Sequence, residues 1–351
     1  MKKLLALLIV AVLLLSGCTN DNNGDDDNNG NGNGDETTVL KVGTASYTSV
    51  SGRDFVEGTD GRVQVNTYYA TVALDEDGKI VFVDIDTAQN QGTFDGAGVV
   101  LAAEAAPTKK EKGPDYGMVG NSEIGKEWFE QIAVLEEYMI GQTLAEVLAT
   151  PVEERDPAHP SVPSDEDLAS KVTITIEGYL KVVEKAVENA VEVEGLAKLG
   201  SGSYTKVSGR DFVEGTDGRV QVNVTYAGVG LDADGKIIYV YIDTAQNQGT
   251  FDGAGAVLAA DPAPTKKEKG PDYGMVGNSE IGKEWFEQME SLEEHMTGMT
   301  PAEVKAIPTE EKDAAHPAVP ADEDLKSSVS IDISAYQGAV DKAAANAIDL
   351  P

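Results

Sequence analysis

Two stretches, Val63–Asp75 and Lys79–Asp86, are rich in Val, Ile, Tyr and Thr, the residue types that fit a pleated, half-buried surface. They flank Asp75-Glu76-Asp77-Gly78, so the pattern predicts a β-hairpin. The polar segment AQNQGTFDGAG, residues 88–98, follows and reads as a glycine-containing loop. The period then becomes helical. Ile124, Trp128, Ile132, Leu135 and Met139 fall on one face, with Asn121 or Ser122 as the cap and Gly141 as the stop. Thr143-Leu144-Ala145-Glu146 has the form of a capping box for a short helix. A Pro-rich acidic loop, Asp156–Asp167, leads to the alternating run Val172–Ile176, which reads as a short strand. Tyr179–Ala190 predicts a closing helix with Val182, Val183, Ala186 and Val187 facing inward. Hairpin, helices, strand and helix in that order predict an α+β fold with a mainly antiparallel sheet and flanking helices.

The whole pattern then recurs. From about Tyr47 to Val193 the chain repeats at a constant offset of 157 residues, with Tyr47 matched by Tyr204, Trp128 by Trp285 and His159 by His316. Pro107–Gln131 recurs letter for letter as Pro264–Gln288. A period of this length is a domain copied in tandem rather than a solenoid unit. The expected division is residues 39–195 and 196–351, each long enough for its own core. The join near Glu194–Gly202 is short, so the two copies are expected to sit close together.

The segment before the first copy carries different signals. Lys2 and Lys3 precede the apolar run Leu4–Leu15, which ends in Leu15-Ser16-Gly17-Cys18. The run is too short to span a bilayer and has the flanks of a secretory signal. With its cysteine it resembles a bacterial lipoprotein signal over residues 1–17. That resemblance implies lipid on Cys18 and a place on the extracellular face of the cell membrane. Residues 18–38 include the acidic stretch Asp21–Glu36, made only of Asp, Asn, Gly, Glu. It has nothing apolar to bury, so it is expected to be a disordered tether with an r.m.s. span of roughly 25 Å.

Cys18 is the only cysteine, which excludes an internal disulfide and any cysteine-based metal or redox site. With 27 basic against 61 acidic side chains, the chain has too little concentrated positive charge for nucleic acid. The acidity suits colloidal stability and a monomeric state outside the cell.

Conventional catalysts are few. His295 corresponds to Tyr138, so it is replaceable. His159 and His316 each precede a proline in an acidic loop, lack metal-ligand spacing and read as loop histidines. Phe94-Asp95-Gly96-Ala97-Gly98 fits no phosphate-cradling pattern and reads as a turn. Two features remain. The first is the repeated block, in which Lys109, Lys110 and Lys112 lie near Tyr116, Met118 and Trp128. Two readings fit it: a surface for a planar anionic ligand, or solvated lysines beside a core tryptophan. The second is Asp167-Leu168-Ala169-Ser170-Lys171-Val172-Thr173, matched by Asp324-Leu325-Lys326-Ser327-Ser328-Val329-Ser330. Both copies fit Asp-x-x-Ser-x-Val followed by a hydroxyl residue.

This second motif resembles the acceptor sequence of FMN-binding domains, Asp-x-x-Ser-Gly-Ala-Thr, with Lys171 and Ser328 in place of glycine and Val172 and Val329 in place of alanine. Together with the signal, the tether, the tandem copies and the run from Tyr116-Gly117-Met118 to Glu130-Gln131, it makes the chain resemble the flavinylated lipoproteins of Gram-positive extracellular electron transfer. The resemblance implies FMN joined covalently to Thr173 and Ser330 by a flavin transferase, two per chain. Asp167, Ser170, Asp324 and Ser327 would complete the motif. The flavin ring would lie against Tyr116 and Met118, or against Tyr273 and Met275. It also implies electrons arriving from a membrane NADH dehydrogenase through quinol and leaving to extracellular acceptors. Two rival readings stay open: a lipoprotein that binds flavin or another small ligand non-covalently, and a cofactor-free surface module.

Overall fold

The computed structural model describes residues 39–350, so the expectations for the signal, Cys18 and the acidic tether lie outside the described residues. The predicted hairpin forms from β2 (Gly61–Leu74) and β3 (Ile80–Phe94), with β1 (Val39–Arg53) paired on the other side of β2. At the turn Gly78 has φ +74°, where a Cβ would be strained, and the Asp75 carboxylate accepts the N–H groups of Asp77 and Lys79. Residues 88–94 are strand and not the loop their polarity suggests. Gln89, Gln91 and Thr93 face away from the buried side, while Ala88, Asn90, Gly92 and Phe94 are buried. The alternation is present, but glutamine and threonine supply it.

β4 (Val100–Ala102) completes one edge of the sheet. The chain then forms α1 (Lys109–Lys112), α2 (Trp128–Met139), α3 (Leu144–Leu148), the ladder of β5 (Val152–Glu153) with β6 (Val162–Pro163), α4 (Glu166–Ala169), α5 (Glu177–Glu188) and β7 (Val191–Glu194). β7 returns to pair with β1, giving the all-antiparallel order β4-β3-β2-β1-β7. α2 buries Trp128, Ile132, Leu135 and Met139 as the spacing predicts, but Ile124, expected on the same face, lies in the turn before the helix; Tyr179, Val182, Val183 and Ala186 of α5 join the α2 residues over the sheet. The cap of α2 is Glu127, with Glu130 completing the box, rather than Asn121 or Ser122. The Thr143 box forms as expected. Val172–Ile176 is not a strand. Val172 N–H bonds the Leu168 carbonyl, Thr173 N–H bonds the Gln131 side chain, and Ile176 N–H bonds the Ser161 carbonyl. These bonds satisfy the backbone without a ladder.

The second copy repeats the design. β8 (Lys198–Arg210), β9 (Gly218–Leu231), β10 (Ile237–Phe251) and β11 (Val257–Ala259) form a sheet with β14 (Ile348–Asp349), in the order β11-β10-β9-β8-β14. α6 (Lys266–Lys269), α7 (Trp285–Met296), α8 (Pro301–Lys305), β12 (Thr309–Glu310), β13 (Val319–Pro320), α9 (Glu323–Lys326) and α10 (Ser334–Ala345) follow. The fold is α+β, with two tandem copies of a sheet with helices on one face.

The bare faces of the two sheets meet. The described residues form one compact unit, and three apolar clusters draw on both copies. Phe94 and Phe251 stack at 3.8 Å between ring centres and 6° between planes. Close approach requires glycine: a Cβ at Gly92 would lie 2.6 Å from the Val220 side chain, and one at Gly249 would lie 2.6 Å from Val63. The rim is polar and near-symmetric. Lys342 of the second copy pairs with Glu111 of the first, and Lys185 of the first pairs with Glu268 of the second. The Val100 and Val257 N–H groups bond Asp211 and Asp54 across the join.

Candidate functional site

The N-terminal turns of α2 gather the side chains that matter. Glu127 is buried and accepts the N–H groups of Met118 and Val119, which fixes the segment leading to the helix. One turn on, Gln131 is fully buried. Its amide N–H groups bond Ser122 Oγ and the Lys126 carbonyl, and its oxygen accepts both the Thr173 N–H at 2.8 Å and the Thr173 hydroxyl at 3.3 Å. Thr173 is half-buried between Val172, which anchors the segment in the core, and Arg155, whose Nη1 donates to the Thr173 carbonyl at 3.3 Å. Arg155 also pairs with Glu123 at 3.3 Å. The result is a hydroxyl with a fixed backbone, access to solvent and a guanidinium beside it.

The second copy reproduces this geometry. Gln288 oxygen accepts the Ser330 N–H at 2.9 Å and its hydroxyl at 3.3 Å, and Gln288 in turn bonds Ser279 and the Lys283 carbonyl. Lys312 replaces Arg155 and pairs with Glu280 at 2.8 Å.

Toward the sheet, Trp128 Nε1 donates to the Tyr179 hydroxyl at 2.7 Å. Lys109 Nζ lies over the Tyr116 ring at 5.0 Å and the Trp128 ring at 5.2 Å. It makes no ion pair among the described residues. Burial pushes its ammonium down to about 8; the Asp86 carboxylate opposes that shift, while the Lys112 charge adds to it. Lys266 is held the same way over Tyr273 and Trp285, also at about 8. So the lysines of the repeated block divide: Lys109 is a desolvated cation facing aromatic rings, whereas Lys110 is bonded to Asp84 and Glu136.

Beyond Tyr116 lies a platform of amides and hydroxyls on the uncovered end of the helix-side sheet face. Cross-strand pairing aligns Ser51, Gln64 and Gln91 in one row and Ser49, Asn66 and Gln89 in the next. Gln64 donates to Asn66, Asn66 to Ser49, and the Tyr116 hydroxyl to Gln89 at 3.2 Å. Gln64, Gln89, Gln91, Thr93 and Lys112 line a cavity of about 420 Å³. Gln221, Gln246, Gln248, Thr250 and Lys269 line its counterpart of about 470 Å³. Both volumes suit a small organic ligand.

Thus Thr173 and Met118 bond side chains at the start of α2, as Ser330 and Met275 do at α7, while Tyr116 and Tyr273 reach the sheet glutamines and share the Lys109 or Lys266 ammonium with the helix tryptophan. The motif's acidic and serine positions do not join them. Asp167 and Ser170 are exposed, and the Ser170 hydroxyl closes the helical turn onto the Asp167 carbonyl; Ser327 and Asp324 do the same. These residues shape the loop that presents the hydroxyl. Residue patterns pass over Gln131, Arg155 and the glutamine rows. The signal that finds Gln131 and the Gln89–Gln91 row is identity between the copies, since Gln131 closes the identical block and AQNQGTF recurs unchanged at 245–251.

No family model matches the chain, and no solved structure matches it. Over 97 residues the chain is 35% identical to a protein named chlorophenol reductase from Desulfitobacterium hafniense. The match covers 24% of this chain and 30% of that protein, so the chain spans less than a third of that relative's length.

Proposed function

We propose that each copy holds FMN as a phosphoester, on Thr173 in the first and Ser330 in the second, and that the chain is a lipid-anchored extracellular electron carrier. The observation that carries this reading is the paired arrangement at the acceptor motif. In both copies a half-exposed hydroxyl is fixed through its own N–H to a buried glutamine at the start of the tryptophan helix. The duplicated amide cavities support it independently, and the similarity to a protein named as a reductase agrees with a redox role.

The residues fit the group. A phosphate on Thr173 would be met by Arg155, and the attachment needs no activated nucleophile because a flavin transferase performs it. Glutamine side chains in adjacent rows offer donors and acceptors in alternation, as the imide edge of a flavin ring requires. Tyr116 flanks that platform, and Lys109 supplies positive charge against which a negative ligand is stabilised. Bound flavin supplies the redox chemistry, accepting and releasing electrons. The protein positions the ring, sets the charge around it and limits water. Cys18 would hold the carrier at the membrane near its donor, an NADH dehydrogenase acting through quinol, which raises their effective concentration for each other.

The amide cavity also suits a flavin bound without an ester. Protein produced with the transferase and precipitated with acid separates the two. Yellow colour that stays in the pellet is the expected result. Colour released to the supernatant favours non-covalent binding, and protein without colour at any stage removes the flavin reading.

A further inference from the structure

The rows of each amide platform end in arginines. Beyond Ser51, Gln64 and Gln91 the register brings Arg53, Arg62 and Thr93 together, and beyond Ser208, Gln221 and Gln248 it brings Arg210, Arg219 and Thr250 together. Like charges directly opposite on neighbouring strands destabilise a sheet. Each copy nevertheless keeps the pair. Among the described residues Arg155 is the arginine that forms ion pairs, and these four form none. Arg210 donates to the Asp217 carbonyl at 2.9 Å, a bond that leaves its charge uncancelled. The Asp211 carboxylate, next in the chain, is turned to the Val100 N–H of the other copy.

The two cavities differ at this end. The second, of about 470 Å³, is lined by Arg219 and Lys269 against a single carboxylate, Asp261. The first is lined by Lys112 against Glu104, with no arginine. Lys206 stands exposed in the row of Asn223 and Gln246, where the first copy has Ser49, and adds a further cation without an ion pair among the described residues. Nor does the protein satisfy Arg219: its Nε is enclosed and has no hydrogen-bond partner. A buried donor left unmatched costs about 1–3 kcal/mol, so the sheet holds this side chain at the cavity against a cost.

Charge decides what such a place attracts. The chain has a net charge of −34 and repels anions at long range. At 0.1 M salt that field is screened within roughly 10 Å, so the groups lining a cavity dominate at contact. Of the two cavities, the second has more cations than carboxylates in its lining and the first does not.

We propose that the arginine end of the second cavity binds a small planar organic anion, with its carboxylate or sulfonate against Arg219 and its ring beside Gln221 and Gln248. A guanidinium takes such a group through two parallel N–H bonds. The arginine row lies about 13 Å along β10 from Gln246, the residue that the Tyr273 hydroxyl bonds. The site is therefore apart from the Tyr273 end of the platform, and binding does not rest on the flavin reading. Under that reading it gives the second copy a docking point for a negatively charged partner molecule.

The test is calorimetric titration of the full chain, made without the transferase, with benzoate and with benzamide as the neutral isostere. One benzoate site per chain is expected, at least about tenfold tighter than benzamide. Arg219→Gln should weaken benzoate about tenfold and leave benzamide unchanged. Arg219→Lys keeps the charge and should retain more affinity than Arg219→Gln, a difference that misfolding would not produce. Lys206→Ser should weaken benzoate by roughly two- to fivefold, as removal of an exposed charge does. Arg62→Gln, the equivalent change in the first copy, should leave binding as it is. No benzoate binding, two equal sites per chain, equal affinity for the two probes, or wild-type affinity in Arg219→Gln overturns the proposal.

Discussion

The two copies agree where a group would be attached and differ where a ring would lie. At the attachment point the changes are conservative: Thr173 becomes Ser330, Arg155 becomes Lys312, and the buried glutamine is the same. Around the platform they are not. Tyr68, which packs edge-on against Tyr179 at 5.2 Å, is Thr225 in the second copy, where it bonds Thr244 at 3.0 Å. Ser49, bonded to Asn66, is Lys206, an exposed cation in the row of Asn223 and Gln246. The surroundings differ between the copies while the buried glutamine and the hydroxyl it holds are kept. Two identical groups in these settings would differ in potential, the second being easier to reduce because Lys206 adds positive charge beside it.

The largest effect that can break this comparison is loss of attachment. In protein made with the transferase, Thr173→Ala should remove one of two covalent flavins, and Ser330→Ala the other, as read from acid-stable absorbance per chain. A variant that keeps both would show that the copies do not share an anchor. Next comes the joint between the copies. Phe94→Ala and Phe251→Ala each empty half of one stacked pair and should destabilise by about 3–5 kcal/mol in denaturant unfolding. The losses should be alike, and less than additive in the double variant, because the residues touch. Strongly unequal losses would mean that the near-symmetry of the interface is not energetic.

Smaller effects sharpen the contrast. Lys206→Ser should lower the two-electron potential of the second flavin toward that of the first by roughly 10–20 mV, the size of an exposed charge worth about 0.5–1 kcal/mol. No shift in spectroelectrochemical titration would place the difference elsewhere. Lys109 and Lys266 should act equally in both copies. Each titrates near 8 when folded and near 10.5 when unfolded. Between those values the unfolded chain binds more protons, so this contribution to stability rises with pH, while attraction for a negative ligand falls as pH rises through 8. Lys109→Met should remove that pH dependence at the first site alone.

The hairpin and the buried stripe of α2 were legible because valine, isoleucine and tryptophan mark them at clear spacings. Residues 88–94 were not, since a strand that shows glutamines to an open cavity and packs Gly92 against another sheet has little hydrophobic signal. Val172–Ile176 misled in the opposite direction. Its alternation buries Val172 and Ile176, but the backbone bonds go to a glutamine side chain and to loop carbonyls. Of the candidate site, the hydroxyl positions were readable from a motif. Gln131 and Arg155, distant in sequence from Thr173, became neighbours only through packing.

The central claim is that both copies carry FMN at equivalent hydroxyls. Peptide mass spectrometry of wild-type protein made with the transferase tests it most directly. The account predicts the FMN phosphoester mass on two peptides, fragmenting to Thr173 in one and to Ser330 in the other. Both peptides unmodified, or the mass on other residues, would contradict it.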